Sequence, residues 1–208
     1  MPRFVTFEGI EGCGKTTQIQ LLSNALEEKG IDHLLTREPG GTTTGDQIRR
    51  LVLDPATVIG PWCELLLYAA ARAQHLEQVI RPALAEGRLV LCDRFTDATR
   101  AYQGFGRGLP LDIIERLHAL GPLALEPDRT ILIDIDPETA LARAADRDRA
   151  KTIDESRFEQ ENRAFHDRVR QGYLELARRS PERFAVVDGR GGIAEVRARV
   201  VAAFGGIA

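Results

Sequence analysis

Lysine is nearly absent from this sequence. Of its 28 basic residues only Lys15, Lys29 and Lys151 are lysines, so a lysine kept inside a glycine-rich segment stands out. Cysteine is limited to Cys13, Cys63 and Cys92, an odd number at wide spacing, which excludes the close pairing of a zinc site or a disulfide framework. The four histidines share no spacing and suggest no metal site. There is no basic excess: the formal net charge is −3, which argues against a nucleic-acid binder and leaves a small, locally bound anion as the ligand to look for. No stretch reaches the roughly 20 uncharged apolar residues of a membrane span, and Met1-Pro2-Arg3 leads into an apolar segment too short for a secretory leader. A cytoplasmic protein without membrane attachment is expected. Repeats and low-complexity linkers are also missing, and 208 residues with 43% apolar content suit one domain, residues 1–208, around one core.

What is present is an alternation of short apolar runs with longer helical patterns, the mark of an α/β protein with a parallel sheet and crossover helices. Strands are expected at residues 4–7, 33–36, 89–92, 130–135 and 185–187. Helices are expected at 15–29, 45–53, 63–86, 111–120, 137–145, 155–178 and 193–204. Residues 38–44 and 143–157 fit neither pattern. The first follows a strand directly, where α/β sheets bind ligands, and the second is charged, poor in apolar residues and suited to a mobile cover.

Residues Gly9-Ile10-Glu11-Gly12-Cys13-Gly14-Lys15-Thr16 satisfy G-x-x-x-x-G-K-[ST], directly after an apolar strand and before the helical stripe Ile19, Leu22, Leu26. Glycines let backbone N–H groups turn around phosphate oxygens, and the following helix presents its positive end. Lys15 adds a charge that should be largely exposed before nucleotide binds, and Thr16 offers a Mg²⁺ ligand beside Thr17. The third strand ends in Asp93, where P-loop proteins place a carboxylate near the metal.

Three clusters could hold a second, phosphate-bearing substrate. Arg37 follows the second strand, Arg94 ends the third, and Tyr68 with Arg72 shares a helix face at i, i+4. Forked guanidinium groups suit a phosphate monoester, and an aromatic ring one turn from a guanidinium suits a base to be stacked and read at its edge.

These segments resemble the thymidylate kinases: residues 7–17, Arg37-Glu-Pro-Gly-Gly-Thr42, the stretch Tyr68 to Arg72, and Asp93-Arg-Phe followed by Ala101-Tyr-Gln-Gly104. The resemblance implies a P-loop NTPase fold with five parallel strands in the order 2-3-1-4-5, flanked by helices, with a small mobile lid at about 143–157. It implies ATP on Gly9 to Thr17, Mg²⁺ at Thr16 and Asp93, and Mg²⁺-dependent phosphorylation of dTMP to dTDP, with ADP released, for dTTP synthesis. Tyr68 would stack on thymine, Arg72 would bond its carbonyl, and Thr99 would lie near the pyrimidine edge. Arg37 and Arg94 would hold the acceptor phosphate, Glu11 would lie near the sugar hydroxyl or these arginines, and Tyr102 would pack under the sugar. The loop carries Glu11-Gly12 where some members carry a base, so the resemblance places the catalytic arginine in the lid. Arg143, Arg147, Arg149, Lys151 and Arg157 are the candidates, Arg147 and Arg149 being carried forward with Lys15, Arg94 and Glu11 as catalytic. Ala98 stands where many members have Ser. A homodimer formed by helices is implied, compatible with apolar Trp62, Leu65, Leu66 and Leu76.

Rival readings are a kinase for another nucleotide or a deoxynucleoside, a GTP-dependent switch, and a bare ATP-binding module. The deoxynucleoside would need a base for its neutral hydroxyl, and the switch would need the N-K-x-D signature that this sequence lacks.

Overall fold

The computed structural model describes residues 3–148, 156–158 and 160–206, with the backbone alone for 145–148. The strands are β1 (Phe4–Glu8), β2 (His33–Arg37), β3 (Leu89–Asp93), β4 (Arg129–Asp134) and β5 (Phe184–Asp188). They form one parallel sheet in the order β2-β3-β1-β4-β5, as the resemblance implied. β1 is buried at all five positions, the pattern of a central strand covered on both faces. Its alternate residues serve two apolar clusters: Val5 and Phe7 join the α1 stripe Ile19, Leu22 and Leu26, while Phe4 joins Leu76, Ile80, Val90 and Phe95. Each such buried aliphatic contributes about 1.5–3 kcal/mol. Because the chain leaves β1 for one side of the sheet and reaches β3 and β4 on opposite flanks, a crevice opens at the carboxyl ends of these strands.

The helices are α1 (Lys15–Glu28), α2 (Thr43–Leu53), α3 (Pro61–His75), α4 (Arg81–Ala85), α5 (Thr96–Thr99), α6 (Leu111–His118), α7 (Pro137–Asp148), α8 (Arg163–Arg179) and α9 (Ile193–Phe204). Caps set several starts. The Thr42 hydroxyl accepts from the Gly45 N–H at 2.9 Å, and the Asn162 side chain accepts from the Phe165 N–H at 2.9 Å. That second cap corrects the helix expected from 155: its apolar periodicity runs through Phe158, but the cap begins α8 at Arg163. Residues 143–148, taken as irregular, continue α7.

The long helix expected over 63–86 is interrupted. Residues Leu76–Ile80 widen into a π-helical turn, with the Arg81 N–H reaching back to the Leu76 carbonyl. Pro82 supplies the reason, since it has no N–H and its ring crowds the preceding turn. A further element escaped the sequence reading: α5 runs into a π-helical stretch, Arg100–Gly106. One of its faces, with Ala101, Tyr102 and Phe105, joins the apolar core, but the other is buried through charge and breaks the stripe. Asp97, with none of its surface exposed, accepts from Arg100 at 3.0 Å and from Arg183 at 2.6 and 2.9 Å. Gly106 lets α8 approach, since a Cβ there would meet Phe165 and Val169.

Candidate active site

The Gly9–Thr17 loop joins β1 to α1. Gly14, at φ +94°, is the residue before α1 and offers no side-chain cap, so the first N–H groups of the helix remain for an anion. Gly12 is required twice over: its φ is +73°, and a Cβ would collide with the Ala140 carbonyl oxygen of α7. The loop is thereby wedged between the sheet and α7.

Two clefts open on the two flanks of this loop. One, about 1090 Å³, is lined by Gly12 to Gln18, Arg143, Gly189 and Gly191 between β5 and α9, and Ile193 at the start of α9. The other, about 500 Å³, is lined by Glu11, Arg94, Tyr68, Arg72, Thr99 and Tyr102, together with Glu38, Pro39, Arg49, Ala98, Gln103 and Phe158 among others. Glu11 and Gly12, adjacent in sequence, face different clefts. Lys15 is only 8% exposed, against the expectation of a largely exposed charge, because it is the first residue of α1 and sits within the loop's wrap. It still lines the larger cleft.

In the smaller cleft Arg94 is the hub. Its φ of +69° is the one positive value at a non-glycine among the described residues, a strained backbone of the kind held at functional sites. It donates from Nη1 to the Gly9 carbonyl at 2.9 Å and to the Tyr173 hydroxyl at 3.1 Å. From Nη2 it donates to Glu11 at 2.6 Å and to the Tyr102 hydroxyl at 3.2 Å. Tyr102 in turn donates to Glu11. Burial alone would raise the Glu11 pKa, but the charges of Arg94 and Lys15 and the Tyr102 hydrogen bond outweigh it and hold the carboxyl at about 2.

Arg72 is 2% exposed and fixed on several sides. Its Nε donates to Glu38 at 2.7 Å, and its Nη2 donates to the Phe95 carbonyl and the Thr99 hydroxyl, both at 3.0 Å. Its guanidinium also lies 5.1 Å from the centre of the Phe95 ring. Five of the six residues expected to bind acceptor thus share one cleft. The sixth, Arg37, is 58% exposed at the end of β2, 3.8 Å from Asp46, and does not line it. Arg49 of α2 does line it, and the sequence reading missed it because one arginine among several on an amphipathic helix carries no distinguishing signal. Glu8 and the β5–α9 loop were missed too, and Glu38, although it lay in a segment expected to border a ligand, was given no role of its own.

The Thr16 hydroxyl donates to Asp93 Oδ2 at 2.8 Å, while Asp93 Oδ1 is buried without a partner. A hydroxyl beside a carboxylate with one uncommitted oxygen is a hard-oxygen donor set that suits Mg²⁺. Among the described residues there is no cluster of three or more His, Cys, Asp or Glu side chains that could hold a metal.

Of the lid candidates, Arg143 lines the larger cleft and donates to the Gly189 carbonyl at 3.3 Å. Arg157 is anchored elsewhere, donating to the Val52 carbonyl at 2.6 Å and to buried Glu64. Arg147 has its side chain outside the described residues, and Arg149 and Lys151 lie outside them altogether.

A parallel sheet with β1 at its centre, a phosphate-cradling loop on that strand and two clefts flanking the loop define a P-loop phosphotransferase that accommodates two ligands. The thymidylate kinase family profile matches residues 7–200. Proteins described as thymidylate kinases are 57% identical over 187 residues in Trichlorobacter lovleyi, covering 89% of this chain and 88% of the relative, and 56% identical over 203 residues in Geotalea daltonii, covering 96% and 95%. The crystal structure of thymidylate kinase from Ehrlichia chaffeensis matches with a TM-score of 0.78 at 35% identity, covering 97% of both chains. This chain belongs to the thymidylate kinase family.

Proposed function

We propose that the protein transfers the γ-phosphoryl group of ATP to dTMP, giving dTDP and ADP for dTTP synthesis. The observation that carries this reading is the meeting of two clefts at Glu11 and Gly12, one beside the phosphate loop and one holding a ring, a base-reading guanidinium and a phosphate-facing guanidinium. A phosphate monoester has a second pKa of about 6 and is mostly dianionic at neutral pH, so no general base is required. The chain's residues therefore act by alignment and neutralisation. Lys15 and the loop N–H groups hold the donor phosphates, and Arg94 aims the acceptor oxygen once ligand competes for its Tyr102 and Glu11 contacts. Thr16 and Asp93 would hold Mg²⁺, which supplies charge neutralisation to the donor phosphates. Arg143, with Arg147 and Arg149 of the expected lid, closes on the transferring group and excludes water.

In the acceptor cleft Tyr68 stacks on thymine, Arg72 and Thr99 read the pyrimidine edge, and Tyr102 packs under the sugar. Steady-state kcat/KM for dTMP, dUMP, CMP, AMP and GMP at fixed ATP and Mg²⁺ tests this. We expect dTMP to lead, dUMP to fall about 10- to 200-fold below it through loss of one methyl contact, and purines to be very poor. AMP or GMP exceeding dTMP would overturn the acceptor assignment.

The same reading includes a homodimer through α3. Trp62 is 50% exposed and Leu66 59% exposed on this helix, apolar surface that a helix-to-helix contact would cover. Sedimentation is expected to give a dimer for the wild type and a monomer for Leu66→Asp; a monomeric wild type removes the dimer.

A further inference from the structure

Arg72 has five N–H donors, and the structure accounts for four of them. Three go to Glu38, the Phe95 carbonyl and the Thr99 hydroxyl, and the fourth, on Nη1, goes to His118 Nε2 at 3.1 Å. One Nη1 hydrogen is left to meet a ligand in the cleft that Arg72 lines. His118 ends α6 and does not itself line that cleft.

The histidine is held in one protonation state by this contact. Arg72 has only donors, so Nε2 must accept, which leaves the proton on Nδ1. That Nδ1 is buried and has no partner. An unpaired buried N–H is costly and calls for an explanation. Burial, then the charges of Arg72 and Arg100, push the His118 pKa down to about 2, so the ring stays neutral and accepting throughout the physiological range. His75 works from the other side: its Nδ1 lies 3.1 Å from Glu38 Oε1 and its Nε2 lies 2.7 Å from the Thr36 hydroxyl, which fixes the carboxylate that receives Arg72 Nε.

We propose that His118 is a specificity-determining positioning residue, whose lone pair occupies one Nη1 hydrogen of Arg72 and so leaves a single, oriented donor for the base edge. The inference rests on the acceptor cleft proposed above. A lone oriented donor selects a carbonyl oxygen and rejects an amino group, so it separates keto from amino pyrimidines. Without His118 the guanidinium has a second unengaged hydrogen and one restraint fewer in its plane, and the selection weakens.

The test uses the full-length protein, with dTMP and dCMP as acceptors, in wild type, His118→Leu and His118→Gln. Leucine removes the acceptor and, with it, the unpaired Nδ1 hydrogen, so the fold has a compensating gain. Glutamine returns an oxygen near the Nε2 position. In His118→Leu the KM for dTMP is expected to rise about tenfold and the dTMP-to-dCMP ratio of kcat/KM to fall about tenfold, the scale of one hydrogen bond to a charged group. The KM for ATP and kcat at saturating dTMP stay within about twofold, and His118→Gln recovers most of the ratio. An unchanged ratio in His118→Leu, a His118→Gln as poor as the leucine variant, or a parallel decline of kcat, ATP use and thermal stability would each overturn the positioning role. If the wild type prefers dTMP and His118→Leu keeps that preference, the His118 inference alone falls. If the wild type itself fails to favour dTMP, the acceptor reading falls and this inference with it.

Discussion

Arg94→Ala is expected to lower kcat/KM for dTMP about a thousandfold, roughly 4 kcal/mol of transition-state stabilisation. The side chain is 14% exposed and its four Nη hydrogens meet Gly9, Tyr173, Glu11 and Tyr102, so its position is set before ligand arrives. Ligand exchanges only the Glu11 and Tyr102 contacts of Nη2, while Gly9 and Tyr173 keep the guanidinium in place, so little reorganisation is left when charge develops on the acceptor oxygen. The substitution also leaves Glu11, 16% exposed at the cleft wall, without its main counter-charge, which lowers stability by itself. The two effects separate in the double variant Arg94→Ala with Glu11→Gln, which should recover much of the denaturation midpoint and none of the turnover. Arg94→Lys should fall between wild type and alanine, because an ammonium supplies charge without the fork. A folded Arg94→Ala within tenfold of wild-type kcat/KM would remove Arg94 from the transfer step.

The contrast between Arg94 and Arg37 shows where sequence was enough and where it was not. Both stand at the carboxyl ends of parallel strands that border the site, Arg37 as the last residue of β2 and Arg94 just after β3, and residue type and spacing treat them alike. What separates them is the turn that each enters. Arg94 follows Asp93 into a left-handed conformation that folds its side chain over Gly9, whereas Arg37 leads into Glu38-Pro39 and stays exposed beside Asp46. A one-dimensional pattern contains strand ends but not the direction in which a side chain leaves them. The sheet was legible for the opposite reason. Strand positions follow from apolar runs, each long enough to stand without knowledge of its neighbours, while the strand order was implied by the family resemblance alone.

Elements buried through charge were the ones that sequence hid. The Asp97, Arg100 and Arg183 cluster reads along the chain as solvated surface, and only the convergence of two distant segments makes it an interior. The histidines behave likewise. His75 and His118 lie far apart in sequence with no common spacing, yet both end up serving one arginine, His75 through Glu38 and His118 directly. Periodicity registers what a residue does for its own helix, whereas these residues act across helices.

Glu8 is the last residue of β1, has none of its surface exposed, and gives a pH dependence of stability whose sign is opposite to that of its neighbour Glu11. Its Oε1 accepts from the Phe95 N–H and its Oε2 from the Tyr173 hydroxyl, each at 2.7 Å. Burial, with the nearby charge of Asp97 adding to it, raises its pKa from 4.5 to about 7 despite the opposing charge of Arg94 and these two hydrogen bonds. A carboxyl that binds its proton more tightly in the folded chain than in the unfolded one stabilises the fold fully below pH 4.5. That contribution is lost as pH rises through 7, and a shift of this size corresponds to about 3 kcal/mol over the whole window. Glu11, held at about 2, stabilises above pH 4.5 and loses its contribution only as pH falls toward 2, so it is silent between pH 5 and 8. His118, also pushed down to about 2, opposes Glu8 as pH falls below 6.5, which is why the wild-type curve alone is not diagnostic. The difference from Glu8→Gln isolates the carboxyl, because glutamine mimics its protonated form in size and keeps an acceptor for Phe95 N. Urea denaturation from pH 5 to 8 should show Glu8→Gln gaining on the wild type as pH rises, with most of the gain of about 3 kcal/mol appearing between pH 5 and 7. A difference that stays flat across this range would mean that Glu8 is charged throughout, held by Arg94 and its two donors against its burial.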